Sequence, residues 1–183
     1  VVTLNGSGAQ AISTAGLSQA ICNLVVNKPG GTATAGSNLW ISNNATTTAG
    51  TLSLSTATMQ VDNKLTLEGG ALTAGSGVLD VGGDVLISGG TLTAPSSGSF
   101  TIAGSYNNSG GTLTANSGTV TFDSTSSGKT LAGTMIGSSA FYNLTFNGVG
   151  GNWAFSAPVT VGNNLTIATG TVTLSSATTT VAG

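Results

Sequence analysis

Few side chains in this sequence can carry acid–base or metal chemistry. The 183 residues include 5 acidic side chains, 3 basic side chains and no histidine. The acids are Asp62, Glu68, Asp80, Asp84 and Asp123, and the bases are Lys28, Lys64 and Lys129. Histidine is the commonest general base and a frequent metal ligand, so its absence predicts that the chain is not an enzyme and needs no cofactor. A calcium site using Asp62, Asp80 and Asp84 is the alternative, although no Asp-rich turn gathers the several oxygens that calcium needs.

Hydroxyl and aromatic side chains favour binding over catalysis. Pairs of threonines flank apolar residues and predict an outward hydroxyl column. These threonines are Thr91, Thr93, Thr112, Thr114, Thr171 and Thr173. Thr ladders stabilise stacked strands, and on a flat face they could also order water and bind ice. Trp40 lies between the apolar residues Leu39 and Ile41, which predicts an outward ring that could bind a glycan.

Two kinds of modification chemistry are open to the chain. Five Asn-x-Ser/Thr sequons permit glycosylation, at Asn5, Asn44, Asn107, Asn143 and Asn164. The single cysteine, Cys22, has no disulfide partner within the chain. Its apolar neighbours predict a buried thiol that acts as a small hydrophobic side chain, with an intermolecular disulfide as the alternative.

The composition excludes several classes of partner. Charged residues make up only 4% of the chain, whereas apolar residues make up 39%, which is enough to bury a core. The net charge of −2 leaves no basic patch to neutralise phosphates, so nucleic-acid binding is excluded. No apolar run reaches the roughly 18 residues that a bilayer-spanning helix needs, so no membrane span is predicted.

A short motif recurs with a period close to 20 residues. Its copies begin at Ile41, Val61, Val81, Ile102, Val161 and Val181, so the spacings are 20, 20, 21, 59 and 20. The sequence also has a longer repeat with a period of 120 residues. Residues 21–61 and 141–181 share 15 identities in 41 ungapped positions at this offset. Six coils of 20 residues make 120, so we predict one solenoid domain over 1–183 with about one and a half long repeats. Residues 123–140 match no strand pattern and predict an irregular excursion.

Alternation of apolar and polar residues assigns three short strands to each coil. The inward residues predicted for the first strand are Leu65, Leu67, Val85, Ile87, Leu165 and Ile167. Those of the second strand are Leu52, Leu54, Leu72, Ala74, Leu92, Ala94, Leu113, Ala115, Val172 and Leu174, and Trp153 and Phe155 fall in the same register. Those of the third strand are Leu39, Ile41, Met59, Val61, Leu79, Val81, Phe100, Ile102, Val159 and Val161. The predicted fold is therefore all-β, a right-handed parallel β-helix (β-solenoid) of triangular coils, about 20 residues each and roughly nine in number.

The corners between the strands are occupied by Gly and Asn. One corner, which we name the Asn/Gly column, contains Asn43, Asn63, Gly83, Gly104, Asn163 and Gly183. A second corner contains Gly50, Gly70, Gly90, Gly111 and Gly170. Because Gly and Asn accept positive φ at little cost, we expect left-handed backbone in the Asn/Gly column.

The Gly-Gly-Thr-Leu-Thr-Ala rhythm at residues 110–115, repeated every 20 residues, resembles the β-helical repeat regions of bacterial surface proteins. It is similar to autotransporter passengers and to filamentous-haemagglutinin-type adhesins, and Gly118–Asp123 and Phe141–Phe146 look like repeats of large surface proteins. The resemblance implies secretion to the cell surface and a structural or adhesive role. It implies no catalytic residues.

The two ends of the chain predict how coils would join. Val1, Val2 and Leu4 begin in strand-like sequence, and Val181, Ala182 and Gly183 break off inside a motif whose other copies run on. An open coil exposes core side chains and unpaired backbone groups, so we expect the ends to stack on other coils. The partner would be another copy, head to tail, or further repeats of a longer chain. The sequence thus predicts a structural subunit or segment of an extracellular bacterial fibre, with ice binding or binding of host or environmental glycans as the alternative.

Overall fold

The chain is built of strands and turns. The computed structural model describes residues 1–14, 16–174 and 178–183, and within this part no α-helix is formed. Two short 3-10 turns occur at Gly16–Ser18 and Gly137–Ser139. In chain order the strands are β1 Val2–Leu4, β2 Gln10–Ile12, β3 Ala20–Ile21, β4 Leu24–Ala35, β5 Leu39–Ile41, β6 Ala45–Ser53, β7 Thr58–Val61, β8 Leu65–Leu67, β9 Ala71–Thr73, β10 Val78–Val81, β11 Val85–Ile87, β12 Thr91–Thr93, β13 Phe100–Ile102, β14 Tyr106–Asn108, β15 Thr112–Thr114, β16 Thr119–Phe122, β17 Lys129–Gly133, β18 Asn143–Phe155, β19 Val159–Val161, β20 Leu165–Leu174 and β21 Thr179–Val181.

The strands pair in parallel and form three columns, which we name faces A, B and C. Face A contains β1, the first halves of β4 and β6, β8, β11, β14 and β17. Face B contains β2, the second halves of β4 and β6, β9, β12 and β15. Face C contains β3, β5, β7, β10, β13 and β16. The chain is therefore a parallel β-solenoid of about nine turns, which confirms the predicted fold class.

Alternate residues of each strand point into one continuous apolar core. In β11, Val85 and Ile87 are buried, whereas Leu86 between them is only half-buried. The residues predicted to point inward between 39 and 113 are all buried. Further along, six aromatic side chains pack against one another with ring centroids 5.2–6.5 Å apart. They are Tyr106, Phe122, Phe141, Phe146, Trp153 and Phe155.

Corner glycines between faces A and B meet a steric requirement. Gly50, Gly70 and Gly90 have φ of 75°, 64° and 71°, which is the left-handed region. A Cβ placed on Gly70 would lie 2.3 Å from the carbonyl oxygen of Gly50 in the preceding coil. Neither the backbone conformation nor the space admits a side chain there, so these corners need glycine.

The Asn/Gly column is selected for a different reason, and the prediction of positive φ in it is wrong. None of its members has positive φ. Instead Asn63 Nδ2 donates to Asn43 Oδ1 at 3.0 Å, and Asn163 Nδ2 donates to Asn143 Oδ1 at 2.8 Å. A Cβ on Gly83 would lie 2.1 Å from the carbonyl oxygen of Asn63. Amide ladders and close stacking of coils therefore select Asn and Gly here.

The long repeat rotates the faces by one third of a turn. β18 begins on face C, where Leu144 pairs with Val120, and it ends on face A beside β17. Its sequence counterpart β4 begins on face A, where Leu24 pairs with Val2, and it ends on face B beside β2. From β4 to β18 the chain thus completes five turns and two thirds of a sixth, and not the six turns that the offset of 120 predicts.

Residues 123–140 cause this rotation because they lengthen the coil. Tyr106 and Leu131, which pair on face A, are 25 residues apart, whereas Val85 and Tyr106 are 21 apart. In the coil directly after β15, face B has no strand; the turn Gly137–Ser139 lies there instead, and Ser139 Oγ accepts the backbone N–H of Leu113 at 3.2 Å. As a result β19 lies on face B, and the first and second halves of β20 lie on faces C and A. Each is one face away from its predicted place, and so is Trp153–Phe155, which lies on face A.

Candidate functional surfaces

Face C carries an outward polar strip on its first coils. Trp40, Gln60, Asp80 and Thr101 occupy one column in successive coils. Trp40 Nε1 and Gln60 Nε2 each donate to one carboxylate oxygen of Asp62, both at 2.8 Å, and Thr101 Oγ1 donates to Asp80. The half-buried indole is thereby fixed at its edge. An immobilised aromatic ring beside carboxylates and an amide is the kind of surface that holds a polar ring such as a sugar.

Asp123 is the acid whose environment is most perturbed. Its Oδ1 atom is buried and has no hydrogen-bond partner. Loss of solvent, and to a lesser extent the negative charge of Asp80, raises the pKa of the Asp123 carboxyl above its ordinary value. Because the pKa is raised in the folded state, the ionised carboxylate costs stability. The folded protein is therefore favoured below the ordinary Asp pKa, and this contribution is lost as the pH rises through the raised pKa.

We expect Asp123→Asn to raise the melting temperature at pH 7 and to make stability less dependent on pH. The advantage over the unsubstituted chain should shrink as the pH is lowered, because Asp123 itself becomes neutral. Thermal unfolding followed by circular dichroism between pH 3 and 8 measures both effects. The control is Glu68→Gln, which removes one charge from an exposed side chain and should leave the pH dependence nearly unchanged. An Asp123→Asn chain that is less stable than the control at pH 7 would contradict the assignment.

Face B carries a regular hydroxyl array in two outward columns. One column contains Thr32, Thr51, Ala71, Thr91 and Thr112, and the other contains Thr34, Ser53, Thr73, Thr93 and Thr114. We name these ten residues the Thr array. Neighbours lie about 4.8 Å apart between coils and about 7 Å apart along a strand. The array is larger than the sequence predicts, because Ala71 and Ser53 interrupt the Thr-x-Thr pattern before Thr91.

Two of the predicted outward threonines do not belong to this array. Thr171 and Thr173 pair with Asn152 and Ala154 on face A, a different side of the solenoid. The sequence predicts them in line with Thr112 and Thr114 because the local sequences match. The rotation of the long repeat moves them to another face.

Lys28 forms a buried polar centre that sequence reasoning did not find. Its side chain is 1% exposed, and its Nζ donates to Gly6 O at 2.6 Å, Gly8 O at 2.8 Å and Gln10 Oε1 at 2.7 Å. The side chain thus fastens the loop between β1 and β2 to the coil that contains β4. A signal was present in the sequence: Gly148 stands where the long repeat would place a lysine.

Lys28 and Trp153 fill the same corner in the two long repeats. A Cβ on Gly50 would lie 2.6 Å from Lys28 Cβ, and a Cβ on its counterpart Gly170 would lie 2.7 Å from an indole carbon of Trp153. Trp153 is the counterpart of Ala33 at the offset of 120. The first repeat therefore combines a lysine with an alanine, and the second combines a glycine with a tryptophan. Both combinations close the corner.

The two end coils present apolar side chains to solvent. At one end Val1 is 82% and Val2 39% exposed, although Leu4 is buried. At the other end the inward side chains Ile167, Leu174 and Val181 are 53%, 53% and 45% exposed. Ala182 and Gly183 follow in exposed positions. Core columns that are closed in the middle of the solenoid are thus open at the carboxyl end, whereas at the amino end Val2 is exposed but Leu4 and Ile12 are buried.

The predicted modification sites lie on the surface or in corners. Asn5, Asn107 and Asn164 are exposed, whereas Asn44 and Asn143 are half-buried in the amide ladders. Cys22 is an exposed free thiol, so the prediction of a buried thiol is wrong. Ile21 takes the inward position of β3, and Cys22 follows it at the corner.

The acids suggested for calcium do not converge. Asp62 bonds to Trp40 and Gln60, while Asp84 accepts the backbone N–H of Ser105 at 2.7 Å beside a shallow pocket that Lys64 also lines. In the part of the chain that the structure describes, no three His, Cys, Asp or Glu side chains are grouped to hold a metal ion. In the same residues no helix is long and apolar enough to cross a membrane.

No protein family, curated protein or solved structure matches the chain.

Proposed function

We propose that the chain is a structural segment of an extracellular bacterial fibre or surface protein, lengthened by stacking of coils on its ends. The observation that carries this proposal is the apolar end coil, where Ile167, Leu174 and Val181 stand in columns that are buried in the middle of the solenoid. Covering them with another coil removes apolar surface from water and pairs the free strand edge. The very low content of charged residues supports the proposal, because little electrostatic repulsion opposes such contacts.

Electron microscopy of the purified chain at increasing concentration tests this proposal. We expect rods that join end to end, in steps near the roughly 43 Å length of nine coils at about 4.8 Å each. Leu174→Lys should abolish joining, because it places a charge on the end coil. The matched control is Thr173→Lys, which adds the same charge to the adjacent outward side chain. Rods that stay single at every concentration, or joining that survives Leu174→Lys, would contradict end-to-end stacking.

The Thr array supports a second candidate, ice binding. It presents eight threonines, one serine and one alanine on one face in a two-by-five lattice. Regular hydroxyl and methyl groups could hold water in an ordered layer. Ice-crystal shaping and freezing-point depression by the purified chain test this candidate. A Thr93→Lys chain that shapes ice as well as the unsubstituted chain would remove it.

Glycan binding at the polar strip is the adhesive variant of the proposal. The indole of Trp40, held by Asp62, offers a stacking surface, and Gln60 and Asp80 lie in the same column. A glycan array probed with the chain and with Trp40→Ala distinguishes a specific site from passive adhesion. Retention that is unchanged by Trp40→Ala would exclude this site.

A further inference from the structure

The coil at the carboxyl end has a close internal counterpart. Residues 163–183 match residues 43–63 at 10 of 21 positions, at the offset of 120. The elements match as well, since β20 and β21 take the places of β6 and β7. The middle of the chain therefore shows what lies next to a coil of this sequence.

In the middle of the chain, the coil 64–84 covers the coil 43–63. Leu65, Leu67 and Leu72 stack on Ala45, Thr47 and Leu52, and Leu79 and Val81 of β10 stack on Met59 and Val61. The covered side chains are at most 2% exposed. Two of the backbone hydrogen bonds that cross this junction are from Ala45 N to Lys64 O and from Leu54 N to Thr73 O, both at 2.9 Å.

The corner of the covering coil must also be glycine. A Cβ on Gly70 would lie 2.3 Å from Gly50 O, and a Cβ on Gly69 would lie 2.5 Å from Thr48 O. Gly170 takes the place of Gly50 in the end coil, with φ of 86°. A coil that covers residues 163–183 therefore needs a Gly-Gly corner as well as apolar inward residues.

We propose that the open face of coil 163–183 is a docking surface for a coil with the side-chain pattern of residues 64–84, joined in tandem. This rests on the proposed function, namely that coils stack on the ends of the solenoid. The docked coil would place apolar side chains, equivalent to those at positions 65, 67, 72, 74 and 81, against five inward residues of the end coil. These are Leu165, Ile167, Val172, Leu174 and Val181. The N–H groups of Leu165 and Leu174 would gain the carbonyl acceptors that Ala45 and Leu54 have.

The first coil of a second copy is a poorer occupant. The column that contains Leu52 and Leu72 contains Gln10 in the first coil, because Gln10 pairs with Ala33 and Ala33 with Leu52. Docked on the end coil, Gln10 would place its amide over Val172. Its Oε1 atom already accepts hydrogen bonds from Lys28 Nζ and from the backbone N–H of Gly6, but the apolar interior offers no acceptor to its Nε2 group. The loop at residues 5–9 has no Gly-Gly pair to fit over the corner at Gly170.

Two fusions of equal length test this inference. In the tandem fusion, residues 64–118 follow Gly183 directly, as they follow Asn63 in the chain. In the head-to-tail fusion, residues 1–55 follow Gly183 instead. Hydrogen exchange is measured at the amides of Leu165 and Leu174, with the buried amide of Leu92 as the reference for an intact core.

We expect the tandem fusion to slow exchange at Leu165 and Leu174 by about 100-fold relative to the unfused chain, and the head-to-tail fusion by much less. Substituting Gln for the leucine that comes from position 72 should remove most of this protection, since it recreates the chemistry of Gln10. Equal protection by both fusions would overturn the inference and leave coil stacking intact. Protection by neither, with Leu92 unchanged, would overturn both the inference and the proposed function. If the tandem fusion protects these amides but the unfused chain forms no rods in the electron microscope, the inference is supported and the end-to-end joining of separate chains is not.

Discussion

Replacing Leu92 with Asp should unfold the central coils. Leu92 is fully buried on face B, where it stacks between Leu72 and Leu113. The substitution removes the apolar contacts of three successive coils and buries a carboxylate that has no basic partner. We expect a loss of more than about 5 kcal/mol, which is comparable with the whole stability of an ordinary domain. Urea denaturation followed by circular dichroism measures it.

The matched control is the neighbouring outward residue. Thr91→Ser removes one methyl group from the half-buried Thr91 and keeps the hydroxyl, so its effect should stay within about 0.5 kcal/mol. Because each coil contacts only its neighbours, the Leu92→Asp chain should lose hydrogen-exchange protection first in β9, β12 and β15. Similar losses at positions 91 and 92 would show that the inward and outward assignment is wrong.

Removing the Lys28 side chain should open the first coil. Lys28→Ala deletes a buried stem and leaves the carbonyls of Gly6 and Gly8 without their donor. Together the cavity and the unpaired carbonyls should lower the free energy of opening of β1 and β2 by about 3 kcal/mol. The expected result is faster exchange at Val2, whose N–H donates to Asn23 O, with little change beyond β6.

Two further variants separate volume, hydrogen bonding and charge. Lys28→Met removes the same charge and the same hydrogen bonds as Lys28→Ala but keeps most of the buried stem, so it should cost less because it leaves a smaller cavity. Lys64→Ala removes the same charge from a half-buried side chain beside the shallow pocket and should leave the first coil closed. If Lys64→Ala opens β1 and β2 as far as Lys28→Ala does, the three hydrogen bonds of Lys28 are not what holds the coil.

The repeating part of the fold could be predicted from the sequence because each coil repeats the same alternation of apolar and polar residues. Period-2 alternation within a 20-residue period places Ile87 and Leu92 inside without any knowledge of the fold. The same alternation places Leu86 and Thr91 outside. In a solenoid every coil has nearly the same neighbours, so a local pattern is also a tertiary pattern.

The parts of the fold that could not be predicted depend on the number of turns between two residues, which differs from what the number of residues between them indicates. An offset of 120 residues is a property of the sequence, whereas the number of turns depends on how many residues the loop before β17 absorbs. The sequence therefore predicts the wrong face for Thr171, although it correctly predicts that the side chain points outward. Lys28 was missed for a related reason: its acceptors belong to a coil whose loop has no counterpart in the regular motif. The reason for Asn and Gly in the Asn/Gly column is likewise not visible in the sequence, because positive φ favours both residues, and so do amide ladders for Asn and close stacking of coils for Gly.

The one-third rotation gives an array of such repeats a screw symmetry in its surface chemistry. Each repeat advances five and two thirds turns, so a given surface returns to the same azimuth only after three repeats, or 17 turns. At about 4.8 Å per turn that pitch is roughly 82 Å. The hydroxyl columns follow this rotation, because Thr171 and Thr173, the counterparts of Thr51 and Ser53, lie on face A and not on face B. In such a fibre the hydroxyl columns would face all three sides within one pitch.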